Sequence, residues 1–201
     1  ANGLELSRAY SIASALDDAL NSSLHFAFDK KLGYLTPNPM NLGNAMKASV
    51  LLHLPALEMS GRTTSLQTQL ARLGLTLKGV YREGMRTVGS LYELANQVSL
   101  GITEEQAIEN LQSITLQLCE KEREARSLLR EDIHINDKVS RAYGVLKTAK
   151  LIELNEAIEL LSTVRLGATL GLLGDVQSDI DRLFTEIQPG TLSVNIDNEE
   201  D

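Results

Sequence analysis

The sequence predicts an α+β fold in which an antiparallel sheet is flanked by helices and followed by a small helical subdomain. Runs with strand-like alternation or dense apolar composition lie in the first half of the chain, up to about residue 99. From Thr103 onward, apolar residues recur at three-to-four spacing, which is typical of helices. Strands gathered in one half of a chain and helices in the other are characteristic of the α+β class.

The first predicted elements are a helix and a hairpin. Apolar residues of the segment 4–24 recur every three to four positions with acids on the other face, which predicts an amphipathic helix. Residues 26–36 alternate around a polar turn at Asp29–Lys31 and predict a β-hairpin. Pro37 and Pro39 forbid regular strand pairing, so we expect residues 37–45 to form a shaped loop.

The middle of the chain predicts three strands and one short helix. The apolar run that begins at Ala48 is stopped by Pro55, which is consistent with a central strand. The predicted elements are a strand over 48–54, a helix over 65–73 ended by Gly74, strands over 75–81 and 90–99, and a polar loop over 83–89 between those strands.

The second half is predicted to be helical. Thr103 and Gln106 have the spacing of a capping box, which predicts that a long helix starts there and continues to about residue 130. Further helices are predicted over 137–148, 154–162 and 176–187. The predicted organisation is a sheet-containing domain over 1–130, a helical subdomain over 131–190 and an acidic tail over 191–201.

Composition restricts the function. No apolar run approaches the roughly 18 residues that a membrane span needs, so we expect a soluble cytoplasmic protein that does not bind membranes. The net charge of −8 argues against binding to nucleic acid. Between Lys47 and Glu93, however, six basic residues stand against three acidic ones. This balance favours a small anionic ligand near the middle of the chain, although a chance fluctuation in surface charge explains it equally well.

The cysteine and the histidines do not indicate a metal site. Cys119 is the only cysteine, and we interpret it as a packing residue. His53 lies inside a predicted strand and is interpreted as a hydrogen-bonded histidine of the core or sheet edge, and not as a catalytic base. His25 and His134 have no second ligand at metal spacing.

Three segments of the first half have motifs that can be compared with known families, and they run over 28–36 with 41–43, over 48–57 (ASVLLHLPAL) and over 74–84 (GLTLKGVYREG). In the same order and spacing, these motifs resemble the bacterial protein-arginine kinases of the ATP:guanidino phosphotransferase, or phosphagen kinase, family. The likeness continues in the same order to Gln188-Pro-Gly190 and so covers nearly the whole chain. It implies that residues 1–130 resemble part of a phosphagen-kinase catalytic domain.

The resemblance also implies a chemistry. Members of the family use ATP with Mg to transfer the γ-phosphoryl group to a guanidinium, here that of arginine side chains in proteins. The residues that the resemblance implies for nucleotide binding are Lys47, Ala48, Ser49, Val50, Leu51, Lys78, Gly79, Val80, Tyr81 and Arg82. Glu83 falls where the family keeps a carboxylate for the substrate guanidinium, and Asn38 replaces the family cysteine. Without the resemblance, Glu83 is an ordinary loop carboxylate.

Other departures from the family pattern affect the expected activity. Lys47 and Lys78 stand where the family has arginines, so they keep the charge but lose the planar two-pronged donor. Arg82 and the stretch 85–87 replace small and acidic residues. The family's first ATP-contacting arginines and a second guanidinium-binding carboxylate lie upstream of Ala1. We expect Lys47 and Lys78 to project from neighbouring strands into one groove with Glu83 at its rim.

Three functions are compatible with these features. The favoured one is a degenerate kinase fold, a pseudokinase, that acts as a binding or regulatory module. The second is a fragment of an active kinase that needs the missing upstream part, and the third is a nucleotide sensor without turnover. By family analogy, stress-response proteins are possible partners, and the helical subdomain is a possible homodimer contact.

Overall fold

A computed structural model describes residues 3–38, 41–83, 86–174 and 176–193 of the chain. The chain divides into two compact units, each drawn from separate segments. Unit 1 comprises Ala1–Leu52, Thr63–Lys78 and Glu93–Glu120, and unit 2 comprises His53–Arg62, Gly79–Tyr92 and Lys121–Asp201. The predicted domain boundaries at residues 130 and 190 stay predictions, and most of the predicted acidic tail, residues 194–201, lies outside the described residues.

Twelve helices and strands are named within the described residues. In chain order they are α1 Leu6–Asn21, β1 Phe28–Asp29, β2 Gly33–Tyr34, β3 Ser49–His53, α2 Pro55–Met59, α3 Thr63–Arg72, β4 Leu75–Glu83, β5 Arg86–Asn96, α4 Glu104–Leu129, α5 Ile133–Thr148, α6 Leu154–Thr169 and α7 Gln177–Glu186. Residues 189–193 add a further short helical segment. None of the helices in the described ranges has the length and apolar character that a membrane crossing requires.

Both sheets are antiparallel, which confirms the predicted fold class. In the small sheet, Phe28 pairs with Tyr34, as the predicted hairpin requires. The larger sheet has the strand order β3-β5-β4. Asn96 N donates to the carbonyl oxygen of Ala48 at the start of β3, and Leu54 N, just after β3, donates to Ser90 O. The residue numbers of the partners in β5 decrease as those in β3 increase, so these two strands are antiparallel.

The predicted loop over 83–89 is wrong at every residue that the structure describes. Glu83 is the last residue of β4, and residues 86–89 belong to β5, where Val88 is completely buried. Gly84 and Met85 lie outside the described residues. Pro55 does end the preceding strand as predicted, but it also begins α2, since proline is favoured at the first position of a helix.

Two of the predicted helices, α5 and α6, extend beyond their predicted limits. The capping box is confirmed, because Thr103 N donates to Gln106 Oε1 at 3.1 Å and Gln106 N donates to Thr103 Oγ1 at 3.2 Å. α5 begins four residues before its predicted start, where the Asp132 carboxylate accepts from His134 N at 2.8 Å and caps the helix. α6 continues seven residues beyond its predicted end, to Thr169.

Each unit has its own buried apolar residues. In unit 1 they come from β3, α3, β4, β5 and α4, and they are Leu52, Leu66, Leu70, Leu75, Leu77, Leu94, Ala95, Ala107, Ile108, Leu111 and Leu118. Cys119 is only partly buried. In unit 2, α5, α6 and α7 pack around Ala142, Leu161, Val164 and Ile180. Gly167 lets α6 approach α5, because a Cβ at this position would overlap the Val139 side chain.

The apolar side of α1 is not covered within the described structure. The helix has no buried residue, and Ile12, Leu16 and Leu20 are 64%, 62% and 44% exposed. These three residues lie at i, i+4 and i+8 and therefore form one stripe. The predicted amphipathic helix is present, but its apolar stripe has no partner in the part of the chain that the structure describes.

Candidate functional site

The backbone around Lys47 is held by Asn96, the last residue of β5. The Asn96 side chain accepts from Ala48 N at 2.7 Å and donates to Met46 O at 3.0 Å. These two hydrogen bonds fix the backbone on both sides of Lys47. The Lys47 side chain is therefore presented from a fixed backbone at the entrance to β3, although the side chain itself is 66% exposed.

Lys47 and Lys78 both stabilise the ionised form of one carboxylate, that of Glu93 in β5. Lys47 Nζ lies 3.0 Å from Glu93 Oε1. The hydrogen bond from Lys47 is the main cause that lowers the pKa of Glu93 from its ordinary value. Partial burial opposes this shift, whereas a hydrogen bond from Ser49 and the charges of Lys47 and Lys78 add to it. Glu93 is therefore an ionised carboxylate that faces two lysines.

The expectation that the two lysines come from neighbouring strands is wrong. β5 lies between β3, which Lys47 precedes, and β4, which carries Lys78. Gln97 N donates to Gly74 O at 2.8 Å, and this register of β4 against β5 places Lys78 opposite to Glu93. Lys47 reaches the same carboxylate, so both lysines lie on one side of this central strand in unit 1. The sequence could not show this order, because the pairing of strands far apart in the chain is set by tertiary packing.

A cavity of about 780 Å³ in unit 1 is bordered by Lys47, Ala48 and Ser49. Its other walls come from α1, the β1–β2 hairpin and the start of α4, and they include the aromatic rings of Tyr10 and Tyr34. Pockets for small molecules usually enclose roughly 300–1,000 Å³ and combine apolar and aromatic walls with a few polar groups. The volume and lining of this cavity fit a ligand of nucleotide size.

Part of the wall of this cavity is acidic. Desolvation and then the negative charges of Glu104 and Glu105 raise the pKa of Tyr10. Asp17 and Glu104 also line the cavity. An anionic group would therefore be attracted to the Lys47 side and repelled from the side formed by α1 and α4.

The remaining residues expected to bind nucleotide divide between the units. Val50 and Leu51 continue along β3 in unit 1, where Leu51 is 60% exposed. Gly79, Val80, Tyr81 and Arg82 follow Lys78 in β4 but belong to unit 2. There, the hydroxyl of Tyr81 accepts from Gln188 Nε2 at 3.0 Å, a Cβ on Gly79 would overlap Thr87, and Arg82 is exposed.

The two residues expected to act on the guanidinium also lie in different units. Glu83 is the last residue of β4 in unit 2, and its side chain lies outside the described part of the structure. Asn38 is in unit 1, where its carbonyl oxygen accepts from Thr36 Oγ1 at 2.7 Å. Arg86, one of the departures from the family pattern, pairs with Glu159 of α6 within unit 2.

His53 is a neutral, hydrogen-bonded histidine in unit 2. Burial and then the positive charges of Arg126 and Arg165 hold the pKa of His53 well below its ordinary value of 6.5. Arg126 Nη2 lies 3.4 Å from His53 Nδ1, and arginine can only donate, so Nδ1 accepts. The ring proton is therefore on Nε2, which donates to Ser162 Oγ at 2.8 Å. The interpretation of His53 as a satisfied core histidine is confirmed.

Glu122 connects α4 to the start of α2. Its carboxylate accepts from Ala56 N at 3.1 Å and from Leu57 N at 2.9 Å, and its Oε1 lies 2.7 Å from Arg126 Nε. Arg126 Nη2 in turn donates to His53 O at 3.0 Å. Glu122 is only 4% exposed, so this buried charge is stabilised by an ion pair and by the first N–H groups of a helix.

Sequence reasoning missed the residues that organise both sites. Glu93, Asn96, Glu122 and Arg126 were not candidates, because each acts on a partner more than 40 residues away in the chain. An acid inside the otherwise apolar run 91–95 was the available signal for Glu93. The i, i+4 spacing of Glu122 and Arg126 indicated only a surface pair on a helix.

The residues present fit the phosphate part of ATP better than they fit a metal ion. Two lysines on one side of a strand can attract phosphate oxygens. Among the described residues, no group of three or more His, Cys, Asp or Glu side chains could hold a metal ion. A magnesium ion that accompanied ATP would take ligands from phosphate oxygens and water, and no residue of this chain is assigned to it.

The fold defines the class of protein. The chain is similar in structure to the duplicated taurocyamine kinase from Schistosoma mansoni with bound transition state analog components, with a TM-score of 0.54 and 26% sequence identity over 67% of this chain and 20% of that chain. The sheet and its helices therefore have the phosphagen kinase fold.

Sequence comparisons assign the chain to a family within the class of proteins that has this fold. A family model described as ATP:guanido phosphotransferase, C-terminal catalytic domain, matches residues 1–125, and one described as Protein-arginine kinase McsB C-terminal domain matches residues 132–199. The chain belongs to the ATP:guanido phosphotransferase family and, within it, to the protein-arginine kinases.

Curated relatives support the same assignment. The chain is 44% identical over 195 residues to the protein-arginine kinase of Symbiobacterium thermophilum, a match that covers 96% of this chain and 55% of the relative. It is 42% identical to that of Halothermothrix orenii over 94% of this chain and 55% of the relative. It is 38% identical to that of Caldanaerobacter subterraneus over 94% of this chain and 57% of the relative. The chain thus spans just over half the length of these curated relatives.

Proposed function

We propose that this chain is a nucleotide-binding module of the protein-arginine kinase type that holds the phosphate groups of ATP through Lys47 and Lys78 and does not itself transfer phosphate. The observation that carries the proposal is that both lysines act on one side of β5, at Glu93, while Lys47 borders a cavity of about 780 Å³. A lysine at the border of a cavity of this size, with a second lysine acting on the same carboxylate, suits a nucleotide triphosphate.

The chemistry of the substituted positions argues against turnover. Phosphoryl transfer depends on positioned charge, and the loss of one such contact typically lowers the rate about 100- to 1000-fold. Lys47 and Lys78 attract phosphate as point charges and do not fix its orientation as a two-pronged guanidinium would. Asn38 is a neutral amide and cannot supply the negative charge of a thiolate. We therefore expect nucleotide binding without measurable arginine phosphorylation, which makes the chain a binding or regulatory module.

Nucleotide titration tests the binding part. Isothermal calorimetry with ATP should show weak binding that falls as salt is added, because exposed charges are screened. Lys47→Ala and Lys78→Ala should each weaken binding about threefold to tenfold, the usual effect of one charged contact. The exposed Lys150 provides a control, and Lys150→Ala should bind as the wild type does. Equal affinity in all four proteins would contradict the proposal.

A transfer assay tests the absence of turnover. The chain is incubated with γ-labelled ATP and an arginine-rich protein, and acid-labile phosphate is measured. We expect no label above background. Labelling that is lost in Glu83→Ala would show that the chain is an active kinase.

A second candidate function is favoured by the exposed stripe of α1. Ile12, Leu16 and Leu20 present an uncovered apolar surface, and such surfaces on soluble proteins usually mark an interaction site. The chain also corresponds to only 55–57% of the length of the three relatives compared above. In this alternative the module becomes an active kinase when a polypeptide equivalent to the rest of a relative covers α1.

Complementation tests this alternative. The part of the Symbiobacterium thermophilum protein that lies outside the match is added to the chain, and transfer of labelled phosphate is measured. Activity that appears on mixing, is lost in Leu16→Asp and is kept in the exposed control Ser11→Asp would support it. Absence of a complex by sedimentation at micromolar concentration would exclude it.

A further inference from the structure

A carboxylate of the chain itself, that of Glu93, lies beside Lys47. Glu93 lies in the central strand of the larger sheet, and its carboxylate is 3.0 Å from Lys47 Nζ. The Ser49 hydroxyl and the charge of Lys78 also stabilise its ionised form. A carboxylate that accepts from one lysine and is stabilised by a hydroxyl and a second lysine has the surroundings that a bound phosphate oxygen would have.

We infer that Glu93 is a built-in competitor for the anionic ligand of Lys47 and Lys78, so that it sets the affinity of this site for phosphate groups. The inference rests on the proposed function, because it concerns the same two lysines. A phosphate that approaches Lys47 meets a side chain that is already engaged, and it also meets the negative charge of Glu93. Like charges about 4–6 Å apart repel each other substantially near a protein surface.

The position of Glu93 makes this competition specific. The hydrogen bonds Asn96 N to Ala48 O and Leu54 N to Ser90 O give one register for β3 against β5, and in that register Leu51 lies opposite to Glu93. Leu51 is 60% exposed and apolar, so it provides no cation of its own for the carboxylate. The charged groups that act on Glu93 are therefore the same two lysines that are proposed to hold phosphate.

The ion pair of Lys47 and Glu93 is exposed, so an anionic ligand can displace Glu93 from Lys47. The side chain of Lys47 is 66% exposed and that of Glu93 is 36% exposed. Ion pairs of this kind contribute little to stability, and their geometry is easily exchanged for another. A ligand with several negative charges can thus take Lys47 away from Glu93, whereas the carboxylate lowers the affinity for every anion.

The test compares binding of inorganic triphosphate and of ATP, each with and without magnesium, by calorimetry. Glu93→Gln keeps the size of the side chain and removes the competing charge, so it should bind both ligands about threefold to tenfold more tightly than the wild type. In the Lys47→Ala background, Glu93→Gln should give a smaller gain than in the wild type, because only the direct repulsion and the influence on Lys78 then remain.

A matched control separates competition from net charge. Glu120 is exposed on α4 in unit 1 and is not among the residues that line the cavity, so Glu120→Gln removes one negative charge away from the site. It should leave the affinity for triphosphate unchanged. An equal gain in Glu120→Gln and Glu93→Gln would overturn the inference, and so would weaker binding of magnesium-ATP in Glu93→Gln, since Glu93 would then help to hold the cation.

Failure of this inference can be told from failure of the proposed function. If Lys47→Ala and Lys78→Ala weaken binding but Glu93→Gln does not strengthen it, the lysines bind phosphate and Glu93 is not a competitor. If the two lysine variants bind as the wild type does, the proposed function itself is wrong. Far-UV circular dichroism of each variant checks that the fold is retained.

Discussion

Replacing Glu122 with alanine should destabilise unit 2 strongly, because the Glu122 carboxylate is buried and accepts hydrogen bonds from three N–H groups. Ala56 N, Leu57 N and Arg126 Nε all donate to it at 2.7–3.1 Å, and it is only 4% exposed. Glu122→Ala leaves two backbone N–H groups at the start of α2 without their acceptor. It also leaves the Arg126 guanidinium, which is 17% exposed, without its counterion.

The magnitude follows from these losses. A buried donor that loses its acceptor costs about 1–3 kcal/mol, and removal of one partner of a buried ion pair costs about 3–5 kcal/mol in total. Arg126 keeps its bonds to Thr169 Oγ1 and His53 O, which limits the loss. We therefore expect the free energy of unfolding to fall by about 3–5 kcal/mol in Glu122→Ala. That is a large part of the roughly 5–15 kcal/mol typical of a domain.

Urea denaturation followed by circular dichroism measures this change. Glu124 lies on the same helix and is exposed, so Glu124→Ala is the matched control and should change the free energy of unfolding by less than about 0.5 kcal/mol. Glu122→Gln keeps one acceptor oxygen and should lie between the two. A loss below about 1 kcal/mol in Glu122→Ala would refute the reasoning, because the start of α2 would then not depend on this carboxylate.

Three further predictions concern single positions. The pKa of His53 is held well below 6.5 in the folded chain, so the unfolded chain takes up more protons as the pH falls below about 6.5. Below that pH, the free energy of unfolding of the wild type should fall by up to about 1.4 kcal/mol per pH unit relative to that of His53→Gln, and above pH 7 the two should not differ in this way. Thermal unfolding at several pH values measures this, and the same pH dependence in both proteins would contradict it. Gly167→Ala should lower the free energy of unfolding by about 1–3 kcal/mol, since its Cβ would overlap Val139 of α5, and Gly144→Ala, where nothing lies near the new Cβ, should not lower it. Asn96→Ala should weaken ATP binding in calorimetry, because the backbone on both sides of Lys47 loses its side-chain bonds, and an unchanged affinity would show that those bonds do not position the lysine.

Much of the fold could be predicted from local pattern. The hairpin at residues 28–34, the strand before Pro55 and the capping box at Thr103 follow from alternation, from the chemistry of proline and from the reciprocal bonds of a threonine and a glutamine three residues apart. Each of these features depends on residues that are close in the chain. The prediction was wrong where a polar composition at 83–89 suggested a loop, because residues 86–89 pair within a sheet despite that composition.

The candidate site was predictable only in part. Lys47 and Lys78 were singled out by their place in the family pattern, and both act on the same strand in the structure. The anion that they share, Glu93, and the amide that holds the backbone at Lys47, Asn96, were not predicted. Nothing local to β5 indicates which of its side chains will face the lysines.

The sequence by itself determined the class of fold and most of the elements, because periodicity, capping and turn chemistry act over a few residues. The family followed from the resemblance of its motifs to those of the protein-arginine kinases. Only the tertiary structure decided that β5 lies between the strands associated with Lys47 and Lys78, that Glu93 therefore faces both, and that Glu122 caps a helix 65 residues earlier in the chain. Those placements depend on strand register and on the packing of distant helices. Register is set by the burial of whole faces, so no short stretch of the chain contains the information that determines it.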